Sequence, residues 1–145
     1  MSRTYSDPSY GSKKVLQGVG TGYAINGTNS SATTLVRILA KAESPLNVVD
    51  FGAANLVIGT QAIANKIVLN SHSAGTGAAV AMGTVTIGTA GEVIAAGATI
   101  DGSATGSISA GDALSVTLAA GTETAGNLRI VPVVEYTETF VISDN

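Results

Sequence analysis

The stretch SISAGDALSVTLAAGTETAGNLRIVPVVEY, residues 107–136, decides the reading of this chain. From Ala113 to Leu118 it alternates, with Leu114, Val116 and Leu118 on one side and Ser115 and Thr117 on the other. Period two is the signature of a strand with one buried face. AAGTETAGN supplies small connecting residues, and a second apolar run follows in which Leu128, Ile130, Val134 and Tyr136 share a face. Pro132 carries no N–H for a ladder, which predicts an edge or a bulge there. Val131 and Val133 lie on the opposite face, which predicts that this face too is covered, with a neighbouring subunit as the cover.

Working outward from these two runs, the same texture recurs. TLVRILAK places Val36, Ile38 and Ala40 opposite Arg37 and Lys41, and Glu43-Ser44-Pro45 forms a turn. LNVVDFG, ANLVIG, NKIVLNS, AVAMGTVTIG and GEVIAAG then read as short strands closed by Gly, Asn or Ser. EYTETFVISD closes the chain, with Phe140 and Ile142 as its buried positions. Runs this close together leave no room for crossover helices, so the chain is read as all-β, a sandwich or barrel.

Residues 1–33 differ from the rest. They are rich in Ser, Gly, Thr and Asn without a sustained period, and are read as an extended N-terminal arm preceding a body of residues 34–145. Tyr5, Tyr10 and Tyr23 are half of the six aromatic residues of the chain. Tyrosine buries well and keeps a polar tip, which suits a contact element. Charge is divided along the same line. Residues 1–42 hold Arg3, Lys13, Lys14, Arg37 and Lys41 against Asp7, a balance of +4, whereas the remainder carries −7. A basic leader on an acidic body suits docking on an acidic protein surface. Nucleic-acid binding would want a denser basic patch with stacking aromatics, so it is not expected.

Composition narrows the chemistry further. Hydrophobic residues make up 45% of the 145, yet aromatics only 4%, so the core is thin and finely divided and added burial between subunits is expected. There is no cysteine, hence no disulfide or thiol chemistry, and with one histidine no zinc or copper site is expected. No stretch has the apolar length of a signal peptide core or a membrane helix. The sequons at Asn26 and Asn29 lie in a polar, turn-rich segment and are read as turn residues.

His72, in NSHSAGTG, is read as a loop residue, since no nucleophile motif accompanies it. Asp101 and Asp112 read as turn residues, and the other acids are too scattered for a calcium loop. GVGTG, residues 18–22, lacks the lysine and flanking elements of a phosphate loop. No catalytic residue and no cofactor are therefore expected.

The Ser/Gly-rich leader, the TLVRILAK opening strand, GTVTIGTAGEVIAAG and above all residues 107–136 resemble the capsid decoration proteins of tailed bacteriophages, also called cement or head-stabilising proteins. The likeness covers roughly residues 34–136. It implies a jelly-roll-like β-sandwich, a homotrimer on the outer surface of the capsid, made in the host cytoplasm. It further implies that the arm, with Arg3, Tyr5, Tyr10, Lys13, Lys14 and Tyr23, grips the major capsid protein or a neighbouring decoration subunit, and that no membrane is involved. A head- or tail-fibre module binding host-surface glycan is the alternative reading, against which stands the shortage of aromatic residues on the body.

Overall fold

The computed structural model of the chain describes residues 2–3, 14–18, 23–29, 33–57, 61–63, 65–87, 94–95, 106–119, 121–138 and 142–143. The strands are β1 (Ser2–Arg3), β2 (Lys14–Gln17), β3 (Tyr23–Asn29), β4 (Thr33–Leu39), β5 (Leu46–Val57), β6 (Gln61–Ile63), β7 (Lys66–His72), β8 (Val80–Thr86), β9 (Ile94–Ala95), β10 (Ser107–Ile108), β11 (Ala113–Ala119), β12 (Gly121–Glu138) and β13 (Ile142–Ser143). A single 3₁₀ turn, Ser73–Gly75, is the only helical element among the described residues. None of those residues forms a helix long and apolar enough to cross a membrane.

All the ladders are antiparallel, and they nest. The β7–β8 hairpin is innermost. Around it β5 pairs β9, β4 pairs β11, and β3 pairs β12. Rolling this nest closed adds the ladders β5 to β12 and β7 to β11. With β2 and β3 counted as one interrupted strand along the same side of β12, the larger sheet runs first, eighth, third, sixth. The smaller runs second, seventh, fourth, fifth, as β4-β11-β7-β8. That is the strand order of a jelly roll.

Between the sheets lies one core. Phe51, Ile67, Leu69, Ile87, Leu114, Val116, Ile130 and Val134 are fully buried, and Ile25, Met82 and Val85 nearly so. The inward alternation predicted for β11 is observed. On β4, however, Leu35, Val36, Ile38 and Leu39 all pack against the core. Its ladder to β11 shifts register twice between Leu114 and Thr117, and each shift lets an extra residue turn inward.

Three sequence expectations are corrected. First, GTETAGN is not a connection, because β12 already begins at Gly121 and absorbs the surplus as an irregularity between Glu123 and Leu128. Second, Pro132 is not on an edge strand: β12 is flanked by β5 on one side and by β2 and β3 on the other. Gly18 N–H donates to the Pro132 carbonyl at 3.0 Å, so the proline nitrogen also faces the Gly18 side. Neither β2 nor β3 has a residue in register with Pro132, so among the described residues the missing N–H costs no ladder bond. Third, the segment read as an arm is not separate from the body. β2 pairs Val133–Tyr136, and β3 pairs residues 121–123 and 128–130, so the expected boundary between residues 33 and 34 falls inside β4 and divides β2 and β3 from the sheet in which they pair.

The AGD turn of the opening stretch ties one end of the sandwich. The Asp112 carboxylate accepts from Ser109 N–H (3.0 Å) and, across the end, from Ala74 N–H (2.9 Å). The Asp112 N–H donates to Ser109 O, and Ala42 closes the turn from the other side, its carbonyl accepting from Gly111 N–H and its N–H donating to Asp112 O. Ala74 is held at φ 51°, a left-handed conformation rarely adopted by alanine, and the Asp112 bond fixes it there. Asp112→Ala should therefore cost about 1–3 kcal/mol in a denaturant melt. Asp112→Asn should cost less, because its single carboxamide oxygen still serves one of the two donors.

Candidate functional site

Each residue predicted to make contacts has a place or lies outside the described residues. Arg3, in β1, is opposite Ile142 of β13. Tyr5, Tyr10 and Lys13 lie outside the described residues. Lys14 is in β2, where its Nζ donates to Glu138 Oε2 at 2.6 Å. The pair is partly exposed, at 37% and 23%, so solvent screens it and its worth is at most about 1 kcal/mol. Tyr23, in β3, is opposite Ile130, and its ring closes over Gly18. A Cβ at Gly18 would stand 2.8 Å from Tyr23 Cε2 and 3.0 Å from Pro132 Cδ. Tyr23 thus covers the break between β2 and β3, a structural task that the composition of the segment did not indicate.

Val131 is only 6% exposed in the single chain, so it offers almost no surface to another subunit. It stands apart from the core between the sheets and faces the outer side of the larger sheet, as Val133 does. Val133 is half-buried. The apolar surface on this side is supplied instead by Val15, 49% exposed, and Val49, 37% exposed. Register places Val15, Glu135 and Asp50 in one row across β2, β12 and β5, with Gln17, Val133 and Gly52 in the next. The result is a valine patch beside two carboxylates. Val15 and Val49 were not singled out in the sequence, because their exposure depends on which face of each strand the ladders turn outward.

The smaller sheet presents a different outer face. His72, read as a loop residue, ends β7, and both of its ring nitrogens are engaged. Nδ1 lies 2.9 Å from Gly77 O, which can only accept, so Nδ1 carries the proton. Nε2 lies 2.7 Å from Ser115 Oγ, which can donate to a neutral ring. Serine and histidine at this spacing have the first contact of a nucleophile and its base. Yet Ser115 is 3% exposed, and Asp112, the nearest acid in sequence, is committed to the backbone N–H groups of Ser109 and Ala74. Alongside, Asn70 Nδ2 donates to Thr117 Oγ1 (3.1 Å) and to Val68 O (3.2 Å). The outward positions of β11, Ser115 and Thr117, are thus partnered by polar side chains of β7.

One cleft lies at the open side of the sandwich, where the edge strands β2 and β4 approach. Leu16, Leu39 and Leu46 floor it, and Lys41, Glu43, Tyr136 and Glu138 rim it. Among the described residues no group of three or more His, Asp or Glu could hold a metal ion.

No protein-family model matches the sequence, and no curated protein matches it. A solved structure similar to the chain is that of infectious bursal disease virus, Gx strain, at 15% identity and a TM-score of 0.34. The match covers 89% of this chain and 38% of that one.

Proposed function

We propose that the chain is a structural protein of a tailed-phage virion that binds the outer capsid surface and stabilises the expanded shell. The observation that carries this reading is the jelly-roll order of the two sheets, an architecture used by virion proteins, together with the resemblance of residues 34–136 to decoration proteins. Its partner is the major capsid protein, and the copies act as an oligomer, three being the number the resemblance implies. The role needs no catalyst and no cofactor. A protein that binds the expanded shell and not its precursor stabilises that shell by mass action, and several attached copies multiply the effect.

The arm is the proposed gripping element, and the ladders restrict how it can be tested. Removing residues 1–22 would strip β2 from β12, so the informative truncation ends at Lys13. Deletion of residues 1–13 is expected to leave the sandwich folded and to abolish co-sedimentation with expanded capsids. Saturable binding at unchanged affinity by the truncated protein would remove the arm from the reading. The glycan-binding alternative has the cleft between β2 and β4 in its favour, with Tyr136 and three charged groups around it. At about 220 Å³ it is smaller than the ~300 Å³ at which ligand sites usually begin, which favours the capsid reading.

A further inference from the structure

The two sheets end in several edges, and these are unequal. Natural proteins blunt sheet edges with short strands, charges, prolines or bulges, because exposed N–H and C=O groups would otherwise recruit another strand. Here β2 has four residues and carries Lys14, while β9 and β10 have two residues each. β4 carries Arg37 and two register shifts. β8 has none of these protections over its second half. VAMGTVT holds no charge and no proline, and its register with β7 is regular from Gly83 to Thr86. Among the described residues no strand pairs its other edge.

The backbone polarity of that edge can be assigned. Ile87 N–H donates to Asn65 O at 2.8 Å, so residue 87 turns its peptide groups toward the β7 side. Alternation then turns those of Val85 and Gly83 toward β7, and those of Thr84 and Thr86 away from it. The Thr84 and Thr86 side chains are exposed as well, on the outer face of the sheet, whereas Val85 is buried beneath.

From this pattern we propose that β8 pairs with β8 of a second copy of the chain, antiparallel about a two-fold axis through Val85. In that register Thr84 of each copy meets Thr86 of the other as a hydrogen-bonded pair, so the outward N–H and C=O groups of all four threonines find partners. Threonine faces threonine on the outside, and valine faces valine at the axis. Thr–Thr and β-branched pairs are favoured cross-strand neighbours. The edge is thus self-complementary, and joining two copies makes one eight-stranded sheet from the two smaller sheets. The contact is isologous and closes on itself, so it yields a pair and not a fibre. It holds independently of capsid binding, and it can act beside a three-fold contact elsewhere on the surface.

Sedimentation equilibrium of the full chain tests this, with Thr84→Pro as the first variant. Proline removes an N–H that faces away from β7, so the β7–β8 ladder keeps its bonds while two bonds across the axis are lost. The wild type is expected to sediment as a dimer or an even multiple of it, and the variant to associate roughly tenfold or more weakly. Should Thr84→Pro not fold, Thr86→Lys keeps every backbone donor and is expected to weaken association in the same direction. The chain has no cysteine, so a single Thr86→Cys can carry a spin label, and a short, narrow label-to-label distance is expected. A monomeric wild type, an oligomer indifferent to the folded variants, open-ended aggregation, or uncoupled labels would each overturn the pairing.

Discussion

Phe51→Ala is expected to lower the stability of the sandwich by about 3–5 kcal/mol. Phe51 is the largest fully buried side chain among the described residues, in a chain with two phenylalanines and no tryptophan. It stands on β5 opposite Val134 of β12, which in turn stands opposite Leu16 of β2, so its ring packs at the middle of the larger sheet. Its successors Gly52 and Ala53 are small, and the facing positions are fixed in ladders, so little can move to fill the space. The lost transfer energy and the cavity therefore add. Thermal unfolding should drop by roughly 10 °C for a domain of this size, and Phe51→Leu should retain most of the stability. A loss for Phe51→Ala below about 1 kcal/mol would mean that the core collapses around the gap and is not the continuous layer described.

Gly121→Ala is expected to cost about 3 kcal/mol or more, for the opposite reason of too little space. Gly121 opens β12 directly after the crossing from β11, and a Cβ there would lie 2.5 Å from Asn65 Cα and 2.6 Å from its Cγ. Asn65 is fully buried and its carbonyl accepts from Ile87, so the obstacle is backbone that is itself held in place. Gly111→Ala is the control. Nothing lies within 4 Å of a Cβ at that position, but φ is +92°, so only backbone strain of about 1–2 kcal/mol is added. Chemical denaturation of the two variants separates the effects. If Gly121→Ala proved milder than Gly111→Ala, the close approach of β12 to Asn65 would be wrong.

Period-two alternation is local, and it made the strands legible: Leu114, Val116 and Leu118 point inward because each strand residue alternates whatever its partners are. The absence of cysteine and the poverty of aromatics bounded the chemistry equally directly. AGD could be read as a turn because an aspartate accepting backbone N–H groups within a few residues is a local device. None of this required knowledge of which strand lies beside which.

Pairing was decided by the tertiary structure alone. Lys14–Gln17 looks like part of a polar leader until β12 offers it a ladder, because four residues carry too little pattern to announce a strand. His72 becomes a partner of Ser115 only when β7 and β11 are neighbours, 43 residues apart in the chain. Pro132 is tolerated in the middle of a sheet because neither β2 nor β3 has a residue in register with it. The edge of β8 follows the same logic. Its composition is written in the sequence, but that Thr84 and Thr86 turn their peptide groups outward depends on the hydrogen bond from Ile87 to Asn65, which only the folded ladder sets.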